Sequence, residues 1–220
     1  MVEVSTSILT VEKEGAIQKF YNLETAHTDY YHIDVMDGKF VEKNTTEIMK
    51  EYSETIKQIS NLPLDVHLMV EDVEKYINEY APMQPNIITF HYEAVKNKEE
   101  LLKLINKIKK SNIKVGVSVK PGTNIEEVYE ILPYIHMVLV MTVEPGKGGQ
   151  KLIPETLEKI KILKQYLADN NLEIDIEADG GINKETIEKV REAGVDIIVA
   201  GSAIVNTDDY EKAIQELKRG

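Results

Sequence analysis

Short runs of apolar and β-branched residues alternate along the whole chain with stretches whose apolar positions recur every three or four residues. The runs are Val2–Leu9, Tyr30–Val35, Leu64–Met69, Ile87–Tyr92, Val115–Val119, Met137–Val143, Glu173–Asp179 and Asp196–Ala200. Each is followed by a segment with helical spacing, such as Lys98–Lys110 (KEELLKLINKIKK) and Pro154–Leu167, and a last helix is expected near Asp209–Lys218. Strands alternating with amphipathic helices predict a parallel sheet. Eight such units of about 27 residues each predict a closed (β/α)8 barrel over 1–220 as one domain, because an open doubly wound sheet would carry GxGxxG in its first strand–helix turn and this chain does not. In a barrel, the chemistry is expected at the C-terminal ends of the strands.

Three of the strand runs carry polar residues with period two. In YYHIDVMDG, His32, Asp34 and Met36 share one face, and Tyr31, Ile33 and Val35 take the other. LDVHLMV places Asp65, His67 and Met69 together, and EIDIEADGG does the same for Asp175, Glu177 and Asp179. Two histidines and two aspartates, His32, Asp34, His67 and Asp179, thus fall at the same end of three strands. Burying such a set is costly without a metal or a proton-transfer role. Nitrogen and carboxylate donors together suit one divalent ion among Zn²⁺, Fe²⁺, Mn²⁺ and Co²⁺.

Asp34 and Asp179 stand three steps apart around an eight-strand ring and can face each other across the mouth. A carbon acid held between them can lose a proton to one and regain it from the other on the opposite face, which inverts a stereocentre. A metal would stabilise the enediolate as a Lewis acid. The same ion activating water would support hydrolysis instead. Met36, Met69 and Met141, also at strand ends, would form a polarizable wall that keeps water from the site.

Small-residue loops follow the last three strands: EPGKGGQ with Gly146, Gly148 and Gly149, then Gly180-Gly181, then Gly201-Ser202. Glycine lets backbone amides approach an anion, and loops after strands seven and eight recur as phosphate sites in barrels. Lys147 can add a point charge there.

Composition removes several other readings. The 220 residues are 42% hydrophobic, enough for one large core. With no cysteine there is no disulfide and no thiolate ligand. A net charge of −12 with no basic stripe argues against nucleic acid as a partner, so an anionic substrate must be held by local geometry. No apolar run approaches a membrane span and the first residues do not look like a secretory signal, so the expectation is a cytoplasmic protein without a membrane partner.

HIDVMDG, LDVHLMV, HYEA, VMTVEPGKGGQ, DGGIN and AGSAI, in this order from about Ser7 to Ile204, closely resemble the ribulose-phosphate 3-epimerase family. The resemblance implies a barrel of the ribulose-phosphate-binding type, and a reaction that interconverts D-ribulose 5-phosphate and D-xylulose 5-phosphate. It implies that His32, Asp34, His67 and Asp179 bind the metal and that Asp34 and Asp179 are the acid/base pair. It implies a substrate contact at Ser7 and phosphate contacts at Gly146 to Gly149, Gly180, Gly181, Gly201 and Ser202; His67, Met36, Met69 and Met141 are expected to border the substrate as well. A homo-oligomer is also implied, and His91 matches a position near the site with no assigned metal role. A hexulose-phosphate epimerase with the same mechanism is the alternative, and an inactive phosphosugar-binding protein ranks below it. Thr6, Lys39, Lys147 and Ala178 depart from the family's usual residues without touching the four ligands. A phosphosugar decarboxylase or synthase would show DxKxxD at the third strand, where DVHLMV has no lysine.

Overall fold

The structure is a computed structural model that describes residues 1–219. Eight parallel strands close on themselves in sequence order: β1 (Glu3–Ser7), β2 (Tyr30–Met36), β3 (Leu64–Met69), β4 (Ile87–His91), β5 (Lys114–Val119), β6 (Met137–Met141), β7 (Asp175–Asp179) and β8 (Ile197–Ala200). The ring is closed by β1 against β8, with Val4 opposite Ile198 and Thr6 opposite Ala200. Around it lie α1 (Ala16–Thr25), α2 (Thr46–Ile59), α3 (Val73–Tyr80), α4 (Lys98–Lys110), α5 (Glu155–Asp169), α6 (Ile187–Glu192), α7 (Ser202–Val205) and α8 (Tyr210–Arg219). Among the described residues no helix is long and apolar enough to cross a membrane.

The expected runs Leu64–Met69 and Lys98–Lys110 match β3 and α4 end to end, and the other strands differ by a residue or two at their ends. One connection departs in kind. Between β5 and β6 the chain winds as a 3-10 helix over Ile125–Tyr134. Its buried residues Ile125, Val128 and Ile131 recur every third position, the 3-10 period, and Pro133 would remove a hydrogen bond from an α-helix.

Period-two alternation sorts each strand into two faces. Tyr31, Ile33 and Val35 of β2 belong with Val66, Leu68, Ile88, Phe90, Val138 and Ile176 to the apolar layer under the helices. Tyr31 is anchored there by its hydroxyl, which donates to the Phe20 carbonyl at 2.6 Å.

The inner face is divided. Met137, Leu139 and Met141 of β6 pack with Ile87, Val143 and Ile197 as a separate apolar cluster. Much of the rest is polar: β1, β2, β3 and β7 carry buried Ser5, Ser7, His32, Asp34, Asp65, His67 and Glu177, and β4 and β5 add Thr89, His91 and Ser118. Register stacks these in rows: His32 beside Asp65, Asp34 beside His67, and Met36 beside Met69 at the top. Met141 of β6 stands beside Asp179.

Candidate active site

Register and alternation bring the four predicted residues to one point. Ligand atoms of His32, Asp34, His67 and Asp179 all lie within 4.8 Å of one another. His32 Nε2 is 3.5 Å from Asp34 Oδ1 and 3.9 Å from Asp179 Oδ2. His67 Nδ1 is 3.9 Å from Asp34 Oδ1 and 3.6 Å from Asp179 Oδ2. Both ring nitrogens are buried, and neither has a hydrogen-bond partner.

An orphaned buried nitrogen is costly, and two facing the same carboxylates call for a shared partner. Donors about 2.1 Å from a tetrahedral ion lie about 3.4 Å apart, close to these separations and beyond ordinary hydrogen-bond lengths. The two-nitrogen, two-carboxylate set therefore fits a divalent cation, and these residues could hold one.

The ligating atoms are held from behind. Ser7 Oγ donates to Asp34 Oδ2 at 2.7 Å, leaving Oδ1 aimed at the imidazoles. His32 Nδ1 lies 2.5 Å from Asp65 Oδ2, which also accepts from Ser5 Oγ at 2.7 Å. A carboxylate behind a histidine selects its tautomer and turns the other nitrogen's lone pair to the cluster. Burial opposes charge on His32, but Asp65 and Asp34 outweigh it and hold the imidazole well above its ordinary value. Burial likewise opposes charge on Asp34, yet His32, His67 and the Ser7 hydrogen bond bring its carboxyl below the usual range.

Below this row sits Glu177, fully buried, with neither carboxyl oxygen hydrogen-bonded. Burial and the neighbouring Asp65 push its carboxyl well above the ordinary value.

Above the cluster opens a cavity of about 410 Å³. Ser7, Asp34, Asp179, Met36, Met69 and Met141 line it, as do Gly146 to Gly149, Gly180, Gly181, Gly201 and Ser202. His32 and His67 do not line it; their ring nitrogens face the two aspartates from inside the barrel. The three methionines are almost fully buried, whereas Lys147 is exposed on its loop. Parts of the glycine loops are closely packed. At Gly181, with φ +67°, a Cβ would lie 2.7 Å from the Leu152 Cα, and at Gly146, with φ +107°, it would lie 2.9 Å from the Val41 Cβ. Such backbone admits only glycine without rearrangement.

The cavity also takes in Leu9, Thr10, Gln150, Asn183 and Asn206, which went unpredicted because loop positions have no periodicity to expose them. Asp65 and Glu177 were visible as polar members of the inward faces, but nothing in the spacing set them behind the cluster. Of the atypical residues, Thr6 faces away from the cavity and bonds Thr28 at 2.6 Å, Ala178 is buried in the layer under the helices, and Lys39 is not part of the lining.

Comparison with known proteins shows the family and the fold. Residues 3–205 match the model of the ribulose-phosphate 3-epimerase family. A ribulose-phosphate 3-epimerase from Methanocaldococcus jannaschii is 39% identical over 99% of this chain and 90% of its own length. One from Bacillus subtilis is 39% identical, covering 99% of both chains. The crystal structure of 3-hexulose-6-phosphate synthase from Salmonella typhimurium superposes with a TM-score of 0.70 at 16% identity, covering 99% of this chain and 97% of that one, a likeness of fold.

Proposed function

The chain belongs to the ribulose-phosphate 3-epimerase family and is an isomerase of that kind, and on that premise we propose which side chains perform the inversion at C3 of D-ribulose 5-phosphate. Asp34 and Asp179 are the proton-transfer pair. One carboxylate removes the C3 proton, giving an enediolate, and the other returns a proton to the opposite face, giving D-xylulose 5-phosphate. The reverse reaction exchanges their roles.

The observation that carries this reading is the convergence of two carboxylates, from strands three steps apart in the ring, on one pair of imidazole nitrogens at 3.5, 3.6, 3.9 and 3.9 Å. Two such acids beside one bound ketose make a two-base inversion possible. Ser7 holds Asp34 in the orientation for transfer through its 2.7 Å hydrogen bond. Met36, Met69 and Met141 exclude water above the reacting carbon, which strengthens the electrostatics of the site.

His32, Asp34, His67 and Asp179 would hold one divalent ion, from the set Zn²⁺, Fe²⁺, Mn²⁺ and Co²⁺ that accepts mixed nitrogen and oxygen donors. When bound, it supplies Lewis-acid stabilisation to the negative charge that develops on the substrate oxygens. The glycine loops at Gly146 to Gly149, Gly180 to Gly181 and Gly201-Ser202 take the phosphate through backbone amides, with Lys147 adding a mobile charge from the rim.

Solvent exchange at C3 tests the assignment. Wild-type protein with metal in D₂O is expected to incorporate deuterium at C3 of ribulose 5-phosphate, read by NMR, and to lose this on chelation. Asp34→Asn and Asp179→Asn should each reduce net epimerisation by at least about 10³-fold, the upper part of the general acid–base range. Full turnover in either variant defeats the two-base reading. The hexulose alternative predicts faster exchange on allulose 6-phosphate than on ribulose 5-phosphate.

A further inference from the structure

The HYEA segment ends β4 and takes no part in the chemistry just described, yet it reaches the cluster from the side. His67 Nε2, the nitrogen turned away from the two aspartates, lies 3.0 Å from His91 Nε2. His91 Nδ1 lies 3.2 Å from Glu93 Oε2; the Ser118 hydroxyl, farther off at 3.4 Å from Nδ1 and 3.5 Å from Nε2, can donate or accept and so imposes no tautomer. The remaining oxygen, Glu93 Oε1, accepts from the Lys120 backbone N–H at 2.7 Å and from the Thr123 hydroxyl. Both imidazoles are fully buried and meet nearly head-on, 5.0 Å between centroids and 28° between planes. Phe40 covers the His91 ring at 4.8 Å.

We propose that Glu93 and His91 are positioning residues that dictate which nitrogen His67 offers to the cation. The logic is one of donors and acceptors. A neutral imidazole has one N–H and one lone pair. For His67 Nδ1 to present a lone pair to the cluster, Nε2 must carry the hydrogen and donate to His91 Nε2. His91 Nε2 must then be an acceptor, so its hydrogen sits on Nδ1 and is donated to Glu93. Ionised Glu93 can only accept, and it is held in place by two donors from the loop after β5.

The carboxylate thus selects a tautomer two rings away. His32 is oriented by a carboxylate in direct contact, Asp65; His67 reaches its carboxylate through an intervening ring. Ionisation of Glu93 agrees with this. Burial works against charge on Glu93, but His91, Thr123 and the Lys120 amide bring it down to about 2.

The chain of hydrogen bonds makes Glu93→Gln a sharper test than deletion. Lys120 N–H is a fixed donor, so the carbonyl of the introduced amide must take the place of Oε1. The amide NH₂ is then forced against His91 Nδ1, which must become an acceptor. Its hydrogen moves to Nε2, His67 Nε2 becomes an acceptor in turn, and His67 Nδ1 acquires the hydrogen that blocks the cluster. Glu93→Ala removes the constraint without reversing it.

The inference rests on the metal-site reading above, and two measurements separate them. Long-range ¹H–¹⁵N correlation spectra of metal-free, ¹⁵N-histidine-labelled protein report each tautomer. Wild type should show His67 with its hydrogen on Nε2 and His91 with its hydrogen on Nδ1, and both should switch in Glu93→Gln. Calorimetric titration with Zn²⁺ should show an affinity loss of roughly 10–100-fold in Glu93→Gln, the range for partners of a metal-binding histidine, and a smaller loss in Glu93→Ala. His67 carrying its hydrogen on Nδ1 in the wild type overturns the proposal, even if the variants do not fold. Unchanged tautomers in Glu93→Gln with Zn²⁺ affinity within twofold of wild type overturn it also, leaving the metal site standing. Failure of the wild type to bind Zn²⁺, Mn²⁺, Fe²⁺ or Co²⁺ at all removes both.

Discussion

Replacing Ser7 by alanine removes a single hydrogen bond from the side of Asp34 that faces away from the imidazoles. Ser7 Oγ donates to Asp34 Oδ2 at 2.7 Å, and both residues are almost fully buried. A hydrogen bond to an ionised group contributes about 1.5–3 kcal/mol. Here the low end applies, because both residues line the 410 Å³ cavity and water can enter to replace the lost hydroxyl. A stabilisation of about 1.5 kcal/mol that acts on the carboxylate and not on the acid corresponds to roughly one pKa unit. The sign follows from the direction of the shift: the Ser7 bond lowers the Asp34 carboxyl, so its loss raises it. The acid limb of the pH profile of kcat/KM is expected to move up by about one unit in Ser7→Ala. The same variant frees the carboxylate to rotate, and a loss of about tenfold in kcat at neutral pH is expected from about 1.4 kcal/mol of lost positioning. Initial rates across pH 4–9 in a coupled assay for xylulose 5-phosphate, with Ser7→Thr to restore a hydroxyl, measure both effects. A Ser7→Ala enzyme with an unmoved acid limb and wild-type kcat would show that Asp34 neither needs this partner nor titrates in the profile.

Two further outcomes are expected. Gly181→Ala must displace the Leu152 backbone at a positive φ, so it should raise KM for the sugar phosphate more than it lowers kcat, whereas Gly122→Ala, with negative φ and open space around it, should change neither; a Gly181→Ala enzyme with unaltered KM would remove that loop from phosphate binding. Glu93, held down to about 2 in the fold against an ordinary value near 4.5, contributes stability that is fully present above pH 4.5 and lost as pH falls toward 2. The unfolding free-energy gap between wild type and Glu93→Ala, from urea titrations of metal-free protein at pH 6 and pH 3.5, should therefore narrow on acidification, by at most about 1.4 kcal/mol per pH unit; a gap that is constant or widens contradicts the assigned ionisation.

The parts of this site that were legible in the sequence are those governed by a two-residue repeat. In YYHIDVM the alternation separates Tyr31, Ile33 and Val35, which pack under helices, from His32, Asp34 and Met36, which do not. The same rule works for β3 and β7, and because strand ends in a barrel share one rim, four separate residues could be referred to a single place before any contact was known. What alternation cannot express is depth and company. Asp65 and Glu177 obey the same repeat as His67 and Asp179, yet one row lower they become a buttress behind His32 and a buried acid whose carboxyl is pushed up. Glu93 was equally hidden, since its role depends on Lys120 and Thr123, which come from the next strand's loop.

The division of the barrel interior explains why these acids can be kept at all. Burying several carboxylates and imidazoles is tolerated only where each finds a donor, an acceptor or a cation. Their grouping on the neighbouring strands β1 to β4 pairs Asp65 with Ser5 and His32, Asp34 with Ser7, and His67 with His91. The opposite wall of Met137, Leu139 and Met141 has no polar side-chain groups to satisfy and lowers the local dielectric. The same separation that sustains the fold therefore leaves two imidazole nitrogens unpartnered at the rim, facing Asp34 and Asp179 under an apolar roof.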